Sequence, residues 1–386
     1  MSPGYDPRYQ GAKHARESGE WEGSGLLFQR SGSQVCRARF RGGIRDRTPA
    51  RWMVHFALKI RVVSSGALLA ATSVTHMKIP VFVKRNPAVT SLARAYYQLR
   101  TANLEKVIFT ATTGRSGTLT LAKLFSAIPD CLSLHEPYPI MNGDLLRAAT
   151  FSDMPQVERY FYGVKSIYIR RAAIPYRYYV ESNHMFIKSF VEYAAKEFSR
   201  KLEVVHLVRD PVEVATSLFR LDECPGTPKG DYWALDYRAP SNRIGIADLL
   251  EAEGEFRHPF YRCLWYWFEI EARTQEWRGR LPGVRFHRFE TNWFNDQQRV
   301  LQLLDQLHMP YDRDAVLQRV GQREHARDHQ KRHSGLDPEV AREMCARFER
   351  VLVDHGYGYL DCLARATGVS ESGSTGSSPA RAGAGH

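Results

Sequence analysis

Between about residues 104 and 365, short apolar runs alternate with stretches in which apolar side chains recur every three or four positions. Residues 106–112 (KVIFTAT) form a short β-rich run. After the turn Thr113-Gly114-Arg115, apolar residues return at Leu121, Leu124, Phe125 and Ile128, the spacing of one helical face. Residues 132–134 predict a second strand ending at His135-Glu136-Pro137, and residues 178–181 a third. An amphipathic helix is expected over 186–199. The unbroken apolar run 204–208 (VVHLV) suits a parallel strand covered on both faces. A helix from Pro211, an irregular stretch over 222–255, a helix over 260–278, a strand over 284–289 and a helix over 293–307 complete the pattern. Strands and helices alternating at this spacing predict a single α/β domain, a parallel sheet flanked by helices.

The ends of the chain break the pattern. Residues 1–76 read as a low-complexity basic segment, rich in Gly, Ser and Arg over the first 50 and largely disordered; residues 77–365 read as the α/β domain and 366–386 as a flexible tail. Of the formal net charge of +12, residues 1–62 hold +7, with twelve Lys/Arg against five Asp/Glu. The charge invites an anionic partner, but it lies mostly outside the domain, and no zinc-finger, helix-turn-helix or RNA-binding signature accompanies it, so no nucleic-acid partner is expected. The apolar stretch 52–74 is interrupted by Lys59 and Arg61 and followed by Ser64-Ser65-Gly66, short of the ~20 apolar residues a membrane span requires. The six cysteines are scattered without a CxxC pair, which argues against a zinc site and a dense disulfide framework and makes a reducing, cytoplasmic setting the simpler expectation.

Two short segments carry chemistry. Gly114-Arg115-Ser116-Gly117-Thr118 lies between a strand and a helix, where unpaired N–H groups and the positive end of the helix dipole bind phosphate-like anions. Glycines at 114 and 117 let the backbone wrap closely, Arg115 brings a fixed charge with several donors, and Ser116 and Thr118 add hydroxyls. A Walker A loop needs lysine after its second glycine; Thr118 stands there, which weakens an ATPase or GTPase reading. The plain alternative is a tight strand–turn–helix with Ser116 as a cap.

The second segment, Arg209-Asp210-Pro211, ends the VVHLV run. Asp210 suits an N-cap, Pro211 the first helical position and Glu213 a capping box, so these three need no ligand. Arg209 is left over at the carboxyl end of a strand, where open α/β sheets bind ligands. Ser217, two turns along the helix, shares a face with its start, and the pair makes a plausible second phosphate site.

A strand–GRSGT–helix start followed by RDP, with a serine eight positions after its arginine, resembles the sulfotransferases that use 3′-phosphoadenosine 5′-phosphosulfate (PAPS). The likeness covers roughly residues 105–360 and is nearer the carbohydrate and protein-tyrosine branch, with its RSGT loop, than the cytosolic branch, whose loop carries lysine. His135-Glu136-Pro137, the segment 284–290 (VRFHRFE) and residues 301–308 add to it; the family's late basic–glycine loop is only loosely echoed by Lys331-Arg332-His333-Ser334-Gly335. The resemblance implies a P-loop-like sheet, with Gly114, Arg115, Ser116, Gly117 and Thr118 on the 5′-phosphosulfate, Arg209 and Ser217 on the 3′-phosphate, and 3′-phosphoadenosine 5′-phosphate as product. No metal is expected.

Sulfuryl transfer asks for positioning, charge stabilisation and a base for the acceptor's proton. His135 and Glu136 adjoin as candidates; the resemblance favours Glu136, 21 residues after Arg115, against the plainer reading that it pairs with Arg115 or caps a turn. The acceptor, a carbohydrate, small molecule or protein tyrosine with a hydroxyl or amine, is poorly specified. Tyrosines and arginines between 160 and 179, Glu181-Ser182-Asn183, and Trp233 and Tyr237 in the irregular stretch are the segments that could meet it. Two other classes compete: a P-loop kinase-type phosphotransferase and a non-catalytic nucleotide- or polyanion-binding protein.

Overall fold

A computed structural model describes residues 87–151, 153–322 and 335–364. The expectations for 1–76, for the apolar stretch 52–74, for the basic residues 331–334 and for the tail 366–386 lie outside the described residues. Five strands form one parallel sheet in the order β2-β3-β1-β4-β5: β1 Lys106–Ala111, β2 Cys131–His135, β3 Tyr178–Ser182, β4 Leu202–Val208 and β5 Arg285–Glu290. β1 is central, with Val107 opposite Tyr179 on one side and Leu202 on the other. The carboxyl ends of β1 and β4 are therefore neighbours, and the segments following them must meet.

Alternation along the strands feeds two apolar layers. Val107, Phe109 and Ala111 of β1, with Val204 and Val208 of β4, face one layer; Ile108, Val205 and Leu207 face the other. The second layer closes under α1 (Thr118–Phe125), whose Leu121, Leu124 and Phe125 form the expected face, continued by Ile128. The first lies under the Phe186–Phe190 π-turn, α3 (Val191–Phe198), α4 (Pro211–Arg220) and the 22-residue α5 (Pro259–Arg280). A short helix, α2 (Ser166–Ala173), packs in the same layer near β3. No helix among the described residues is long and apolar enough to cross a membrane.

Three expectations need correction. The helix expected over 293–307 is a 3₁₀ turn, Thr291–Asn295, and a separate helix α6, Gln297–Gln306, because Asp296 accepts the Gln298 and Arg299 amides and starts a new helix. The helix expected over 186–199 opens with a π-turn at Phe186–Phe190. Between β2 and β3 the chain forms four short helical segments from Asp144 to Ala173 that were not expected, because each is too short for a clear apolar period. The stretch 222–255 holds only short helices and is tied to α5 by a disulfide between Cys224 and Cys263, with Cα atoms 5.2 Å apart.

Candidate functional site

The chain leaves β1 through Thr112 and Thr113 and turns sharply, with Gly114 at φ 81°, Arg115 at 57° and Gly117 at 84°. Glycine adopts such left-handed angles without strain, while Arg115 does so at a cost that the surrounding bonds offset. The Thr113 hydroxyl donates to the Gly114 carbonyl at 2.7 Å, and the Ser116 hydroxyl to the same carbonyl at 3.0 Å. Ser116 therefore braces the loop from within rather than lining its mouth. Gly117 caps α1 without a side-chain bond, leaving the first-turn amides to whatever lies in front of them. Thr118, the first residue of α1, is hydrogen-bonded through Oγ1 to His135 Nε2 at 2.9 Å.

The two motifs converge. Arg115 Nε donates to Ser217 Oγ at 3.1 Å, and an Arg209 Nη1 donates to the Arg115 carbonyl at 2.8 Å. Thr291, just past β5, locks the junction by donating to the Ser116 carbonyl at 2.9 Å and the Val208 carbonyl at 3.1 Å. The Trp267 indole of α5 donates to the Arg209 carbonyl at 2.8 Å. Asp210 caps α4 by accepting the Glu213 amide at 3.0 Å, and Glu213 pairs with Arg209 Nε at 2.7 Å. Gly335, at the end of the loosely echoed basic loop, packs on Arg220 of α4, where a Cβ would lie 2.9 Å from an Nη.

On the other side of the β1 loop lies Glu136, at φ 45°, its amide bonded to the Ser182 carbonyl at 3.2 Å. Its carboxylate is 3.3 Å from His184 Nε2, and its side chain keeps 25% of its surface. Burial holds the carboxyl above its ordinary value; Lys188 and Arg115 pull against that through space, and the Glu223 and Glu181 carboxylates add to it. The ring nitrogen that meets the Glu136 carboxylate is thus His184 Nε2, while Arg115 is engaged on Ser217. His135 stands at the open end of β2, and desolvation of its ring lowers its pKa.

Sequence reasoning missed the groups behind Glu136. Lys188, buried in the Phe186–Phe190 turn, donates to the Trp233 carbonyl at 2.5 Å and the Tyr266 oxygen at 2.9 Å, and meets His184 Nδ1 at 2.9 Å. Tyr266 in turn donates to the Thr113 carbonyl at 2.8 Å. A lysine among apolar neighbours (FIKSF) was the one signal available. Of the acceptor-side candidates, Trp233 reaches the site, stacked on His184 with centroids 5.9 Å apart. Tyr237 does not; it is buried against Trp265 and donates to Glu251. Glu181 is fully buried in a pair with Lys165 at 2.5 Å and also accepts from Tyr179 at 2.6 Å and Asn183 at 2.8 Å. From the 160–179 segment, Arg170 is committed to Glu197, while Tyr168, Arg171 and Tyr179 line a cavity of about 240 Å³ together with Leu134, His135 and Tyr138.

The fold has likenesses among solved structures. A sulfotransferase domain from the curacin biosynthetic pathway superposes at a TM-score of 0.36 and 16% identity, covering 66% of this chain and 98% of that one. Sulfotransferase STF1 from Mycobacterium tuberculosis H37Rv superposes at 0.35 and 14% identity, covering 77% of this chain and 92% of that one. The sequence matches no family model and no curated protein at significance.

The geometry itself defines what the site can do. Helix amides and two arginines meet at one point, and a carboxylate backed by a buried lysine stands across the loop from them. An anion held on the first set would present a reacting group to the second.

Proposed function

We propose that this protein is a sulfotransferase that uses PAPS as donor and passes its sulfuryl group to a hydroxyl or amine. The observation that carries the reading is the Arg115–Ser217 hydrogen bond at 3.1 Å, with Arg209 on the Arg115 carbonyl. It joins two anion-binding motifs, 102 residues apart, into one patch suited to a molecule with phosphate at both ends.

In this reading the turn from Gly114 to Gly117 and the first amides of α1 hold the 5′-phosphosulfate, and Arg209 with Ser217 holds the 3′-phosphate. Arg115 and the α1 amides meet the charge that grows on the leaving phosphate. Glu136 takes the acceptor's proton as the acceptor oxygen or nitrogen attacks sulfur, and the 3′,5′-bisphosphate leaves. Lys188 is placed behind Glu136, where its charge favours the ionised carboxylate. The cavity beside His135, walled by Tyr138, Tyr168 and Tyr179, is the entry we assign to the acceptor, whether sugar, small molecule or tyrosine.

The test is to offer purified protein radiolabelled PAPS together with a fractionated extract. Acceptor-dependent label transfer with release of the bisphosphate is expected. Binding of the bisphosphate without transfer to any fraction would favour the non-catalytic nucleotide-binding reading.

A further inference from the structure

His184 neighbours Glu136, and its ring is among the most tightly held groups in the site. The turn that carries it is fixed to β1 through the Asn183 amide, which donates to Thr110 Oγ1 at 3.0 Å, and closed by the Met185 amide on Asn183 Oδ1 at 2.8 Å. The residue is 8% exposed. One face of the ring stacks on Trp233, and a Cβ on Gly114 would lie 3.1 Å from Nδ1, so the donor loop presses against it. Its nitrogens have different neighbours: Nε2 is 3.3 Å from Glu136 Oε1 and Nδ1 is 2.9 Å from Lys188 Nζ. The Thr113 backbone also hydrogen-bonds the ring and raises its pKa, while the charges of His135 and Arg115 lower it.

The hydrogen-bond inventory gives this chain of groups a direction. A lysine ammonium has three donors and no acceptor. Three acceptors surround Nζ of Lys188: the Trp233 carbonyl, the Tyr266 oxygen and His184 Nδ1. The Tyr266 proton is already committed to the Thr113 carbonyl, which leaves that oxygen to accept from lysine. With Nδ1 accepting, a neutral imidazole carries its proton on Nε2, the nitrogen that lies 3.3 Å from Glu136 Oε1. Burial, and then the lysine charge, keep the ring neutral by holding its pKa well below the ordinary value. Burial and the Arg273 charge hold the Lys188 ammonium well below its ordinary pKa, and Glu136 is the charge that pulls against them across the ring.

We propose that His184 is a positioning residue, a neutral bridge that links the Lys188 ammonium to the Glu136 carboxylate, occupying one carboxylate oxygen and leaving the other to take the acceptor's proton. The proposal rests on the reading of Glu136 as the base. It assigns His184 no contact with substrate and no proton transfer of its own.

Two substitutions separate the two bonds. His184→Gln keeps an amide N–H near the place of Nε2 and loses the acceptor for Lys188. His184→Asn keeps an acceptor near Nδ1 and loses the donor to Glu136. Activity through a carboxylate base rises with pH through its pKa, and a lost hydrogen bond to the charged form raises that pKa. The acid limb of kcat/KM should therefore move up by about one pH unit in His184→Asn and stay near its original place in His184→Gln. An unmoved limb in His184→Asn, with activity lowered evenly at all pH values, would overturn the bridge. Nitrogen-15 spectra of labelled histidine in the unaltered protein should show a neutral ring protonated at Nε2. An Nδ1–H tautomer or an imidazolium would also overturn it, whether or not either variant folds. The spectra need no turnover, so an unaltered protein that transfers nothing from PAPS would refute the function while the tautomer still decided the bridge.

Discussion

The loop after β1 and the turn after β3 touch at Gly114 and His184, but they hold charge by different means. The loop side works with backbone amides, two partly exposed arginines and hydroxyls that brace the turn, all within two short stretches of sequence. The His184 side works with buried ionisable groups drawn from the end of β2, the Phe186–Phe190 turn, the segment around Trp233 and α5. An anion-binding surface can rely on the helix terminus and on solvent to moderate its charges. A base that must stay ionised when enclosed needs a compensating charge close by, and that charge must be desolvated along with it. The first arrangement suits binding and the second suits reactivity.

If this contrast holds, substitutions on the two sides should fail differently. Glu136→Gln keeps the shape and removes proton acceptance, so turnover should fall by roughly 10²–10⁴ with little change in nucleotide affinity. Arg115→Ala should weaken nucleotide binding and slow transfer together, since the charge meets both the bound anion and the leaving phosphate. Dissociation constant set against turnover for the two variants makes the comparison. Near-normal turnover in Glu136→Gln would remove it as the base and move attention to His135.

A buried carboxylate elsewhere in the sheet sharpens the point that enclosed charge can serve stability alone. Glu203 of β4 accepts from His287 at 2.8 Å, Arg285 at 2.6 Å and Lys106 at 2.5 Å. Burial pushes its carboxyl up, but those bonds prevail and pull it to about 2. A depressed carboxylate contributes stability that is fully present above its unfolded pKa, about 4.3, and is lost as pH falls through the folded value. The thermal midpoint should therefore drop between about pH 4 and 2. Glu203→Gln should flatten that part of the profile, and an unchanged profile in the variant would remove Glu203 as its source.

The smallest expected effect concerns Glu213, which competes for Arg209 from an exposed position on α4. Glu213→Gln should tighten 3′-phosphoadenosine 5′-phosphate binding only a few-fold, because an exposed pair is worth about 0.2–1 kcal/mol. Weaker binding would mean that Glu213 orients Arg209 rather than competing for it.

The same contrast explains what was legible in the sequence. The central strands β1 and β4 were visible as apolar runs, because parallel strands covered on both faces leave little room for polar side chains, whereas the edge strand β5 showed only as apolar residues alternating with polar ones. The two loop motifs were visible because each is local: Gly114 and Gly117 mark a left-handed turn, and Asp210-Pro211 marks a helix start. That Arg115 and Ser217 would bond depends on β1 and β4 being neighbours, which strand order decides and periodicity does not. Glu136 could be located, but its partners could not. His184 gives no periodic signal, and Lys188 reads as one interruption of an apolar run until Trp233 and Tyr266 are brought around it. Glu181 shows the converse error, since a carboxylate at a strand end looks available until Lys165 is found buried against it.

The central claim is that the β1 loop and the start of α4 form one site for a nucleotide phosphorylated at both the 3′ and 5′ positions. Calorimetric titration with 3′-phosphoadenosine 5′-phosphate and with AMP tests it most directly. Loss of a charge-assisted contact costs on the order of 1.5–3 kcal/mol, so the bisphosphate should bind at least about tenfold more tightly. Arg209→Ala and Ser217→Ala should each narrow that gap while leaving AMP affinity nearly unchanged. Equal affinity for the two nucleotides in the unaltered protein would contradict the account.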